Sequence, residues 1–158
     1  MPQPIRKNIK TKPVKKKVVK GKRTHPKYGT SKLEDRFAKE FLDKLSLEYE
    51  RQYEAKDIGR FYDFAVKQSN GAIILIEVDG TFYHGYGLVH EEKSPMQKHN
   101  EWVDKVKDQW AAEHGIPLIR IWEHDINENP GKVMNILVKR IDTARKAKDK
   151  ENEKKKRH

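Results

Sequence analysis

Three carboxylates and a histidine stand where an apolar core should be. In GRFYDFAVKQSNGAIILIEVDGTFYHGYG, residues 59–87, Asp63, Glu77 and Asp79 interrupt β-type apolar runs and His84 follows just beyond. A buried carboxylate is costly unless it is paired, protonated or bound to a metal, so this set calls for a cation or another explanation. Alternation along a strand puts Asp63 on one face with Phe61 and Ala65, and puts Glu77 and Asp79 together on a face of their own strand. If neighbouring strands bring these faces together, the acids converge. Oxygen-only ligation of this kind suits Mg²⁺ or Mn²⁺. Such an ion activates water and screens the charge that builds on a phosphodiester during displacement. His84 titrates near neutrality and fits a general base, though a loop histidine equally fits a hydrogen-bonded surface residue. Glu34 fits either a site acid or the reciprocal partner of a helix cap at Ser31, and Asp104 either a site acid or a solvated helix residue.

The elements that must position these residues follow from periodicity. SKLEDRFAKEFLDKL, residues 31–45, has capping-box spacing at Ser31 and Glu34 and apolar residues every four positions at Leu33, Phe37, Phe41 and Leu45, which predicts an amphipathic helix. LEYERQYE and RFYDFAVK alternate on either side of KDIG and predict a hairpin, with Tyr49, Arg51 and Tyr53 on one face. AIILIEVDG is nearly all apolar until its last residues, as befits a central strand covered on both faces. MQKHNEWVDKVKDQWAAEHG predicts a helix with a stripe at Val103, Val106 and Trp110, ended by Gly115 and Pro117. PLIRIW predicts a strand, and NPGKVMNILVKRIDTARKAKD a closing helix whose charged end frays into a tail. The expected fold is one α/β domain with a mixed four-stranded sheet flanked by helices, in the order α-β-β-β-α-β-α.

Charge divides the chain. Residues 1–30 carry 11 Lys/Arg and no acid, residues 31–138 carry 14 basic against 20 acidic residues, and residues 139–158 carry 10 against 4. The division expected is a basic arm at 1–30, a folded domain at 31–138, and the end of the closing helix with a basic tail at 139–158. Arms of this kind suit the phosphate backbone of nucleic acid, and Arg6, Lys7, Lys15, Lys16, Lys17, Lys20, Lys22, Arg23 and Lys27 are the candidate contacts. A solubilising tail or an import signal is the plainer reading. The chain has no cysteine, which excludes disulfides and thiolate metal sites. It has no apolar run long enough for a membrane span, and its basic start lacks the apolar segment of a secretory signal, so a cytoplasmic protein that does not engage a membrane is expected.

Several of these stretches, taken in order, resemble a known family. SKLE, YDFAV, AIILIEVDGTFYHG and VDKVKDQWAAEHGIPLIRIWEHDI, within residues 31–126, are similar to the very short patch repair endonucleases and to phage homing endonucleases of the EDxHD type. Both groups belong to the PD-(D/E)XK nuclease superfamily. The resemblance implies that Glu34 is the helical acid, Asp63 a metal-binding aspartate, and Val78 a metal ligand through its backbone carbonyl. It further implies His84 as general base and Asp104 as the acid that orients it. Glu77 and Asp79 stand where the wider fold has an acid and a lysine, so Glu77 is a metal candidate and Asp79 a second carboxylate, while a lysine-based mechanism is disfavoured. Phe82 and Tyr83 occupy the place of residues that wedge into the duplex, or else pack beneath the loop. The cysteine-bound structural zinc of the repair enzymes is not expected.

These readings together predict a Mg²⁺- or Mn²⁺-dependent endonuclease acting on double-stranded DNA, of the phage homing kind and hence at work inside a bacterial host cell. The alternatives are a mismatch-directed or junction-resolving repair nuclease, and a basic nucleic-acid-binding protein without catalysis.

Overall fold

The computed structural model describes the backbone of residues 30–157 and the side chains of residues 32–157. The basic arm candidates from Arg6 to Lys27 and the proposed Ser31 cap lie outside the described residues and side chains. The chain runs through helix α1 (Thr30–Phe37), strands β1 (Glu48–Ala55), β2 (Arg60–Lys67) and β3 (Ile73–Asp79), helix α2 (Pro95–Glu113), strand β4 (Leu118–Trp122), and helices α3 (Glu123–Glu128) and α4 (Pro130–Lys156). The expected α/β architecture and mixed four-stranded sheet are present. The sheet order is β1-β2-β3-β4. Its first three strands are antiparallel neighbours, and β4 lies parallel to β3 after the α2 crossover.

Helices cover both faces of the sheet. Leu33, Phe37, Ile126, Val133 and Leu137 from α1, α3 and α4 pack on Phe64, Val66, Ile74, Ile76, Val78, Ile119 and Ile121. Trp110 and Ala111 of α2 pack on Ala55, Tyr62, Ala65 and Leu75 from the other side. This double cover is why β3 is buried at every position but its first. Among the described residues, no helix is long and apolar enough to cross a membrane.

Four local expectations need correction. The first helix does not continue to Leu45: α1 passes into a π-helical turn at Ala38–Leu42, and the chain turns at Ser46 with φ 52°. Apolar residues every four positions drift by about 40° per repeat on a helix of 3.6 residues per turn. The wider turn absorbs that drift and buries both Phe41 and Leu42. Second, the α2 stripe is shifted: Lys107, Trp110 and Ala111 are buried, while Val103 and Val106 are half-buried. Third, a short helix, α3, stands between β4 and the closing helix. Fourth, α4 does not fray after residue 139 but stays helical to Lys156, with Lys146–Asp142 and Lys155–Glu151 pairs one turn apart along its exposed side.

Candidate active site

Simple alternation also fails in the hairpin, and its failure builds the site. Tyr49 and Phe64 pack toward α1, whereas Tyr53 and Tyr62, two or four residues along the same strands, pack toward α2. Tyr49, Arg51 and Tyr53 therefore do not share a face. Both strands change sides around Gln52, which holds φ 53° inside β1, and the paired positions step from Arg51↔Phe64 to Tyr53↔Tyr62. Asp63 lies in the step. Instead of joining Ala65 on the α2 side, its carboxyl meets Glu34 of α1.

The β2–β3 ladder ends at Phe64↔Ile76, one pair short of Asp63 and Glu77. Beyond it, side chains take over the work of the backbone. The Asp63 amide donates to Glu77 Oε1 at 2.9 Å, and the Val78 amide donates to Asp63 Oδ2 at 2.8 Å. Glu77 Oε2 takes the Lys107 ammonium at 2.7 Å. Glu34, buried on α1, lies 3.6 Å from Arg51 Nη2 and 3.5 Å from Gln52 Nε2. Glu34, Asp63 and Glu77 thus converge where two strands part, whereas Asp79, expected from its strand face to join Asp63 and Glu77, lies with His84 and Arg120 instead.

The titration of Asp63 and Glu77 reflects burial and crowding. Burial, then the hydrogen bond and charge of Glu34, push the Asp63 carboxyl well above its ordinary range. Two carboxyls in such contact must share a proton or a cation. Burial, followed by the negative charge of Asp63, also raises Glu77, with Lys107 pulling the other way.

A second group sits one step along β3. Residues 77 and 79 share a face and their Cα atoms are ~6.6 Å apart by strand rise. His84 Nδ1 lies 2.8 Å from Asp104 Oδ2, and its Nε2 lies 3.7 Å from Asp79 Oδ1. Asp104 on α2 thereby reaches the histidine. The three residues offer donor atoms within 4.8 Å of one another and could hold a metal. They already contain a cation, however, because Arg120 of β4 reaches Asp79 and Asp104 at 3.3 Å and Asp108 at 2.7 Å. Burial works to lower the His84 pKa, but the Asp104 hydrogen bond and the charges of Asp79 and Asp104 outweigh it, so His84 is raised. Burial raises Asp79, against the pull of His84 and Arg120.

The loop that carries His84 is fixed from beneath. Gln97 Nε2 donates to the Phe82 carbonyl at 2.6 Å and Asn100 Nδ2 to the Tyr83 carbonyl at 2.8 Å. Gln97 belongs to a capping box with Ser94 that starts α2. Gly85 sits at φ 65°, a left-handed conformation that strains any residue with a Cβ, and a Cβ there would also press on the Lys93 side chain at 3.2 Å. Above this base Phe82 is 68% exposed and Tyr83 42%, so neither packs beneath the loop.

Lys107 and Arg120 were not anticipated from sequence. Arg120 does leave a trace, as a charge in the middle of the apolar strand PLIRIW and in register with Glu77. Lys107 leaves less: it sits three residues from both Asp104 and Trp110 on a helix that has many exposed charges.

Comparison of the chain with protein-family models, with curated proteins and with solved structures yields no match.

Proposed function

We propose that the protein is a metal-dependent DNA endonuclease. The observation that carries this reading is the convergence of Glu34, Asp63 and Glu77 at the parting of β2 and β3, next to a His84–Asp104 pair. The donor set fits a hard divalent cation, because it offers oxygen only and because burial and the neighbouring Glu34 carboxyl disfavour the charged form of Asp63. Asp63 and the Val78 carbonyl are the proposed ligands of Mg²⁺ or Mn²⁺, with Glu34 and Glu77 alongside. When bound, the ion supplies Lewis-acid stabilisation of the negative charge that develops on the phosphate.

The chain's own residues supply the rest. Asp104 accepts from His84 Nδ1–H, which leaves the Nε2 lone pair free to take a proton from the attacking water. The water oxygen bonds to phosphorus as the bond to the leaving sugar oxygen breaks. Arg120 holds Asp104 and Asp79 in place and offsets their charge. The basic residues of the N-terminal arm contact phosphates and hold the DNA against an otherwise acidic domain.

The narrower reading, a site-specific enzyme of the phage homing type, rests on the resemblance of residues 31–126. The exposure of Phe82 on a fixed loop favours a second reading, a nuclease that unstacks a mismatch or junction before cutting, since an inserted apolar side chain parts base steps. Incubation with matched, mismatched and branched duplexes in Mg²⁺, Mn²⁺ or EDTA, with mapping of the new ends, tests all of these. Metal-dependent cleavage is expected in the wild type and not in Asp63→Asn. Full turnover by that variant, or no cleavage of any duplex, overturns the assignment.

A further inference from the structure

Lys107 is a lysine in a place that lysines rarely occupy. Its side chain is 9% exposed and that of its partner Glu77 is 7% exposed. It is held at both ends: Tyr62 OH donates to the Lys107 carbonyl at 2.6 Å, and Nζ lies 5.0 Å from the centre of the Tyr62 ring and 2.7 Å from Glu77 Oε2. An ammonium buried mid-helix is costly unless a carboxylate meets it, and hydrophobic replacements of such pairs are often no less stable. Stability alone is therefore a weak reason for this pair to exist.

Its geometry suggests another. Both oxygens of Glu77 have protein donors, Oε2 the Lys107 ammonium and Oε1 the backbone amide of Asp63. Glu77 thus grips the main chain of Asp63 at the point where the β2–β3 ladder has ended, and the Val78 amide steadies the Asp63 carboxyl itself. Lys107 fixes which way Glu77 points. We infer that Lys107 is a positioning residue of the nuclease site, acting through Glu77 to aim Asp63, and that Glu77 is consequently not a metal ligand. This departs from the metal role given to Glu77 on resemblance, and it rests on the nuclease reading. The positive charge comes from α2, because the next inward position of β3 after Glu77 is Asp79.

A charge-neutral exchange separates the two roles of Glu77. Full-length wild type, Lys107→Met, Glu77→Gln and the double variant would be compared for single-turnover cleavage of duplex DNA across a Mg²⁺ series. Mn²⁺ binding without DNA, followed by paramagnetic resonance, gives a second readout. Each single variant leaves a buried charge or polar group unpaired and should lose roughly 10–100-fold in rate, the usual effect of a residue that supports a ligand. The double variant removes both charges together. It should cleave at least about tenfold faster than the worse single variant, with half-saturating Mg²⁺ and Mn²⁺ within about threefold of wild type, because coupled residues are not additive. A rise of about tenfold or more in the metal needed by the double variant would make Glu77 a ligand and overturn the inference. So would a wild-type rate in Lys107→Met, or a double variant no faster than the worse single one, which would mean that Lys107 acts on the DNA itself. If a single variant does not fold, the double variant and Lys107→Arg still give the comparison. A wild-type protein that neither binds Mn²⁺ nor cuts any duplex fails at the earlier step, the nuclease reading, and takes this role with it.

Discussion

Asp63 touches Glu34 with its carboxyl and accepts from the Val78 amide, so without a cation it is stable only if protons are shared. An asparagine can keep both contacts, its oxygen toward Val78 and its amide toward Glu34, with no charge to bury. Asp63→Asn should therefore melt higher than wild type in EDTA, each kcal/mol regained being worth roughly 2–4 °C in a chain of this size, while losing cleavage in Mg²⁺. A lower melting point would show that the carboxyl is not under strain. The wild type should also lose stability as pH rises from about 5 to 8 in EDTA. A carboxyl whose folded pKa lies above its unfolded value favours folding less as it ionises, and His84, also raised, gives up its favourable charge above its ordinary pKa of 6.5. Divalent metal should restore the most stability at the alkaline end, and melting curves at several pH values with and without Mn²⁺ would show it. For cleavage the sign reverses, since His84 must be neutral to accept a proton, so the rate should rise with pH through a pKa above its ordinary 6.5. Asp104→Asn should move that limb to lower pH and reduce the plateau; an unmoved limb would assign it to another group. Asp63, Glu77 and Asp79 could be singled out from sequence because a carboxylate in an apolar strand is conspicuous, whereas Glu34 and Asp104, on helices, take their site roles only from the resemblance. Arg120 is as conspicuous in PLIRIW but its partners are not, and Lys107 could not be singled out, because a charged residue on a helix reads as solvated until the neighbouring layer is known.

At the scale of elements, the helices and strands were readable wherever one face is uniformly apolar, as in β3 and β4. Reading failed where the backbone departs from its ideal period. The π turn after α1 alters the helical spacing, and the change of sides at Gln52 defeats alternation in β1 and β2. α3 is six residues long and polar, too short to show a period at all. Gln52 offers the sharpest test at this scale. A left-handed φ costs a non-glycine residue about 1–2 kcal/mol, and glycine removes that cost while loosening the unfolded chain by about 0.5–1 kcal/mol. Gln52→Gly should therefore match or slightly exceed wild type in thermal stability. It should still cleave roughly tenfold more slowly, because the amide that meets Glu34 is gone, an effect in the range expected of outer-shell partners. A fall of several degrees in melting temperature would mean that the side chain, not the backbone conformation, holds the step in the hairpin together.

The whole molecule sets an acidic middle against basic ends. Residues 31–138 carry 20 acids against 14 basic residues, so the domain that holds the site should repel a polyanion on its own. At the C-terminal end the basic residues are carried on α4, whose lysines and arginines are partly tied to Asp142 and Glu151 in the same helix. The 11 basic residues of residues 1–30 have no acid in their segment to compensate them. If they neutralise phosphates, a chain lacking residues 1–28 should bind duplex DNA more weakly and with a shallower salt dependence, the slope of log K against log salt falling by about 0.9 for each phosphate no longer neutralised. The truncation spares α1, which starts at Thr30, so the apolar packing of Leu33 and Phe37 remains and the melting temperature should hardly change. Cleavage should persist at low salt or high enzyme concentration, since Asp63, His84 and their partners are untouched. Titrations of the full and shortened chains at several salt concentrations decide the point. An unchanged slope and affinity would place DNA binding on the folded domain and α4, and would leave the arm with another task.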